Sequence, residues 1–160
     1  MDEKKKEFNL LKEKVKDSFE NESYKENILK SILNSKHEVR KTYLTLILIS
    51  PERVGKIMEK TFVVKKTLYN HLYNLISLGL VKKISVLDLI KRKTKLNEDE
   101  QEVLEKFKKW TITMGEGMKQ LYTAKTNYFA LTELGKDESI INWALESEKK
   151  MKKGGEIEIK

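Results

Sequence analysis

The side chains best suited to chemistry lie between Lys65 and Tyr73, where Lys65, Lys66, Thr67, Tyr69, Asn70 and Tyr73 alternate with Leu68, Leu72 and, just beyond, Leu75 and Ile76. With Leu68 set at 0° and an advance of about 100° per residue, the four apolar side chains fall within about 100° of one another. Lys66, Tyr69, Asn70, Tyr73 and Ser77 gather on the opposite side. One face of such a helix packs and the other is left to bind. The chemistry of the second face is recognition of a nucleic acid. Lys65 and Lys66 suit phosphate or guanine O6 and N7, the Asn70 amide can pair with adenine through two hydrogen bonds, and Tyr69 and Tyr73 can stack on sugars or donate to phosphate. Thr67 shares their first turn, and His71 stands at the edge of the packing face.

Catalysis finds no comparable set of residues. The chain has no cysteine, and His37 and His71 are its two histidines, which excludes thiol chemistry and a Cys-based zinc site. Ser-His-Asp, HExxH and P-loop patterns are missing, and a carboxylate pair such as Asp99 and Glu102 on a helix surface is solvated charge. Gly115-Glu116-Gly117 lacks the preceding strand and third glycine of a phosphate cradle and is read as a loop. The sequence therefore predicts no enzyme, no metal and no cofactor. Its first residues, Met1 to Lys6, lack the apolar stretch of a signal peptide, and the run Leu44–Ile49 is too short to span a bilayer. A soluble, cytoplasmic protein without membrane attachment is expected.

Charge points to the same segment. The net charge is +8, and its parts are +2 for residues 1–50, +8 for residues 51–95 and −2 for residues 96–160. Lysine and arginine concentrated on one segment neutralise phosphates and release their counterions, the main source of sequence-independent affinity for DNA. Lys82 and Lys83, Lys91, Arg92 and Lys93, and Lys125 extend the candidate set beyond the helix.

A helical frame should position these groups. Phe8, Leu11, Val15 and Phe19 make one apolar stripe of a helix over residues 2–20. Capping-box spacings at Ser23–Glu26 and Ser35–Glu38 predict helices starting near Tyr24 and Lys36. Ser50-Pro51-Glu52 reads as N-cap, first-turn proline and acid of a short helix ending near Lys60, with Thr61–Val63 as the turn. The helix that follows, residues 64–78, ends at Gly79 as a left-handed cap. A strand is expected over Leu80–Val86. Residues 87–95 read equally as strand continuation or as a helix capped by Ser85, whereas Asn97–Glu100 starts a helix running to Trp110. Lys125–Leu131 is the returning strand, Lys136–Lys150 a last helix, and residues 152–160 a disordered tail.

Helix, short helix, three-residue turn, helix and two strands is the order of a winged helix-turn-helix. The fold class expected is thus mainly α with a small β-hairpin (α+β). It comprises an N-terminal helical extension (1–35), a DNA-binding domain (36–136) with an insertion at about 87–124, and a C-terminal helix (137–151). The elements Lys66-Thr67-Leu68-Tyr69, Gly79-Leu80-Val81 and Leu131-Thr132-Glu133-Leu134-Gly135 resemble those of PadR-like transcription regulators, relatives of the ArsR and MarR winged helices. The resemblance covers about residues 38–86 and 125–150. It implies that the recognition helix 64–78 enters the major groove of double-stranded DNA and that the C-terminal helix forms a homodimer. Two departures stand out: the insertion, and the residues before the first domain helix. Basic residues at the start of the insertion suit an enlarged wing on flanking DNA backbone. No effector pocket is assigned. The alternative is a protein-interaction or replication-initiator module, in which the acidic stretch Glu98–Glu105 docks a basic partner and protein covers the Tyr69, Asn70, Tyr73 face.

Overall fold

A computed structural model describes residues 22–34 and 37–159, with side chains described for 25–32 and 37–151. The helix expected over residues 2–20 and the capping role of Ser35 lie outside the described residues. The chain is mainly helical with one small antiparallel sheet, an α+β arrangement, and it divides into two compact units.

One unit joins helices α1 (Glu22–Asn34) and α8 (Glu138–Ile159), which pack on each other and bury Ile28, Ile32, Ile140 and Ala144. Helix α1 already includes Glu22 and Ser23, so it starts before the cap read at Ser23. Helix α8 runs to Ile159 through Gly154 and Gly155, where a disordered tail was expected. Each glycine lowers helix preference by about 1 kcal/mol without forbidding the conformation.

The other unit, His37–Asp137, carries the candidate site. Its elements are α2 (His37–Ile49), β1 (Glu52–Arg53), α3 (Val54–Thr61), α4 (Lys65–Ser77), β2 (Val81–Ser85), α5 (Val86–Lys91), α6 (Glu98–Thr111), α7 (Glu116–Lys125) and β3 (Asn127–Leu131). Helical spacing places Val39, Tyr43 and Leu46 of α2, Val54 and Ile57 of α3, and Leu68, Leu72 and Leu75 of α4 in one core. Full burial of such a side chain contributes about 1.5–3 kcal/mol.

The proline-led helix start is corrected. Pro51 follows a cis peptide bond, Glu52 and Arg53 form a two-residue strand, and the helix begins only at Val54. Ser50 does not cap it: its hydroxyl accepts the Leu131 N–H at 3.0 Å, so it caps β3 instead. The sheet consequently has three strands in the order β1-β3-β2, with Glu52 opposite Phe129 and Val81 opposite Leu131.

Gly79 ends α4 as read. At φ 79° it occupies the left-handed region, and its N–H reaches Ile76 O while Leu80 N–H reaches Leu75 O, a Schellman closure. The same turn meets the residues after β3. Thr132 Oγ1 donates to Gly79 O at 2.5 Å and accepts the Gly135 N–H at 3.0 Å, and Thr132 N–H donates to Leu80 O at 3.0 Å. Gly135 lies so close that a Cβ there would overlap the Leu80 carbonyl oxygen, and its own carbonyl accepts the buried Tyr43 hydroxyl at 2.7 Å. The Gly79-Leu80 and Leu131-Thr132-x-x-Gly135 elements are thus two halves of one packed crossing.

The insertion leaves and re-enters at adjacent points. Beyond the last paired residues, Ser85 and Asn127, Val86 N–H donates to Thr126 O at 3.2 Å, so the strands open directly into α5, α6 and α7. Ser85 does cap α5, accepting the Asp88 N–H, and Asn97 with Glu100 forms the reciprocal capping box of α6. The loop read at Gly115–Gly117 is corrected to the start of α7, with Gly115 as its N-cap and Gly117 inside the helix. Val103 and Phe107 of α6 join Val86 and Leu89 of α5 against Ile84, Tyr128 and Ala130 of the sheet. Lys106 fixes α6 further, donating to Ile49 O at 3.1 Å and Pro51 O at 2.7 Å. Both faces of β3 are therefore covered.

Candidate nucleic-acid interface

Helix α4 divides as its periodicity requires. Leu68, Leu72 and Leu75 are fully buried, Ile76 is partly buried, and Lys65, Lys66, Thr67, Asn70 and Ser77 are exposed. Tyr73 keeps 49% of its surface in solvent. Val64 at the N-cap provides no side-chain acceptor, so the first amides of α4 face outward beside two lysines. Tyr69 departs from the simple two-face division. It is half-buried, stacked on Tyr73 with centroids 6.1 Å apart and set edge-on to Phe129 of β3 at 6.3 Å. His71 is buried, on the packing side.

The basic residues outside α4 fall into two groups of different character. Lys82, Lys83 and Arg92 line a cavity of about 270 Å³ that also holds Asp88, Asn97 and Glu100. There Arg92 pairs with Glu100, and Lys82 lies 3.2 Å from Asp99, which is also 3.5 Å from Lys136. The Asn97 N–H holds the Glu100 carboxyl below the usual carboxylate range, Arg92 and Lys82 add to that, and burial opposes it. Acid from α6 thus offsets much of this positive charge. Lys83, Lys91 and Lys93 are exposed.

The second group has no such offset. Lys65 and Tyr69 of α4 share a groove of about 360 Å³ with Lys125 at the end of α7, and no acidic residue lines it. Arg53, Trp110 and Tyr122 complete its walls, three residues that the sequence reading did not single out. The Arg53 guanidinium lies 4.1 Å from the Trp110 ring centroid, Trp110 meets Tyr122 edge-on at 5.1 Å, and Lys125 Nζ lies 4.7 Å over Tyr122. No local signal marks this set, because it unites a strand before α3 with two helices of the insertion. A separate cavity of about 440 Å³, lined by Ile90, Leu104, Phe107 and Lys119 among others, lies within the insertion.

Among the described residues no cluster of His, Asp and Glu could hold a metal ion, and no helix is long and apolar enough to cross a membrane. No family model matches the chain, and no curated protein or solved structure is found similar to it.

Proposed function

We propose that the chain is a winged-helix DNA-binding regulator of transcription, acting as a homodimer on double-stranded DNA, with α4 in the major groove. The observation that carries the reading is α4 itself: a buried leucine face behind an exposed Lys66, Asn70, Tyr73 face, mounted on a short preceding helix and a three-stranded sheet. The order of elements supports a winged helix, with α3 and α4 as the helix-turn-helix and the β2–β3 pair as the wing base. The insertion then replaces the wing tip, as in a PadR-like regulator enlarged at that point. Leu145, exposed, and Ile141, partly exposed one turn before it on α8, offer apolar surface for a second copy. Lys66 and Asn70 are one turn apart on α4, so both can reach the same half-site.

Selection of bound sequences from random duplex DNA is expected to enrich two half-sites about one helical turn apart, with affinity falling steeply as salt rises. The double variant Lys66→Ala, Asn70→Ala should lose at least about tenfold in specific affinity, since one good base contact is worth about 1–3 kcal/mol. Binding without salt dependence and unchanged in the double variant would sink this reading.

A further inference from the structure

The acid-free groove asks for a ligand that combines negative charge with a planar ring. Three cations, Arg53, Lys65 and Lys125, line it. Two helix N-termini meet there as well: Val54 and Gly55 open α3, Lys65 opens α4, and neither helix has a side chain capping its first amides. Outward-facing amides at a helix start carry partial positive charge and receive phosphate oxygens. The guanidinium of Arg53 is held in place between the Trp110 ring and Gly55, where a Cβ would collide with it. Tyr69, Trp110 and Tyr122 provide aromatic surface beside the charges. The volume lies at the lower end of the range for small-ligand sites, about 300–1,000 Å³.

We propose that this groove binds one unpaired nucleotide, its phosphate on Arg53, Lys65 and Lys125 and its base against the aromatic wall. The inference deepens the reading of α4 as the DNA-facing helix and rests on it for the source of the nucleotide. Lys65 and Tyr69 are α4 residues that line the groove, so it adjoins the surface assigned to DNA. A base inside a stacked duplex cannot enter, whereas one at an overhang or flipped out of the stack can. The protein would then favour duplex DNA that carries an unpaired residue beside its half-site.

The test uses the full chain with Trp143→Phe, which leaves Trp110 as its one tryptophan, since the sequence holds two. A blunt duplex, the same duplex with an oligothymidine overhang at either end, and free thymidine monophosphate are titrated while Trp110 fluorescence and DNA anisotropy are followed. The overhang is expected to bind about tenfold more tightly than the blunt duplex and to quench Trp110. Arg53→Gln should abolish that preference while blunt-duplex binding persists, and Arg53→Lys, which keeps the positive charge, should retain part of it. Quenching by thymidine monophosphate also supports the site and identifies nucleotides in solution as a source. Equal affinity for the blunt and overhang duplexes without quenching overturns the groove and leaves the α4 reading standing. Binding and quenching by the overhang alone, with no blunt-duplex affinity, overturns the α4 reading and leaves the groove.

Discussion

Gly79 and Gly135 sit side by side in the crossing that joins α4 to the end of β3, yet they are glycines for different reasons. Gly79 needs its left-handed φ of 79°, and a Cβ there would find ordinary contact with Leu134. Gly135 needs space, because a Cβ would overlap backbone. Gly79→Ala should therefore cost about 1–2 kcal/mol, the left-handed penalty, and Gly135→Ala about 1–3 kcal/mol as overpacking against an immovable carbonyl. The second change should also weaken the Tyr43 hydrogen bond. A urea midpoint unchanged in either variant would contradict this account. Buried tyrosines add a pH dependence. Burial pushes the Tyr128 hydroxyl up to about 12, with Glu52 reinforcing and Arg53 opposing the shift, and burial followed by Asp137 raises Tyr43 as well. A group whose pKa is higher folded than unfolded contributes fully below its unfolded value, about 10 for tyrosine, and that contribution fades as pH rises toward the folded value. Stability should thus be level near neutrality and decline above about pH 10. Tyr128→Phe should show a shallower decline between pH 10 and 12 than the parent chain, measured by denaturant titration at each pH; equal slopes would refute the assignment.

At the scale of elements, the insertion depends on its caps. Asn97→Ala removes the capping box that starts α6 and should destabilise by about 1 kcal/mol. Because Glu100 belongs both to that box and to the Arg92 pair, Glu100→Gln should weaken both contacts. A thermal melt in which Asn97→Ala matches the parent would show that α6 is held by packing alone. The same elements show what could be read from the sequence. Helix α4, its two faces, its Gly79 end and the α6 start were legible because each is set by residues within one or two turns. Strand β1 and helix α7 were not. β1 exists only through pairing with residues more than seventy positions away, and Pro51 before it imitates a helix start. Gly115 and Gly117 imitate a loop, yet Gly115 caps α7 and Gly117 lies within its first turn, with Tyr122 edge-on to Trp110. The groove was invisible for the same reason: Arg53, Trp110 and Tyr122 meet only in three dimensions.

For the whole molecule, the net charge of +8 is distributed less simply than its sequence map suggests. Acid on α6 offsets Lys82 and Arg92, which moves the unopposed positive surface toward α4 and the groove beside it. Salt dependence of DNA binding should accordingly respond more to changes at Lys65 and Lys125 than at Lys82. On the proposed reading, assembly is the task of the other unit. If α8 forms the dimer, Leu145→Lys should shift sedimentation toward that of a monomer and lower the affinity for paired half-sites while leaving the His37–Asp137 unit folded. A parent chain that already sediments as a monomer at micromolar concentration would end the homodimer reading.

The hydrogen bond between Val86 and Thr126 also bears on how the chain reaches its final form. A hairpin with a tight turn can close from that turn outward, but β2 and β3 have none, and joining them closes a long loop whose entropic cost rises with its length. Helices α5 to α7 are local, and by forming before the strands pair they would shorten that loop; the Gly79, Thr132 and Gly135 contacts secure the opposite end of the strand pair. The segment between β2 and β3 would then govern the tempo at which the sheet closes, and Asn97→Ala should slow refolding in stopped-flow as well as lower stability.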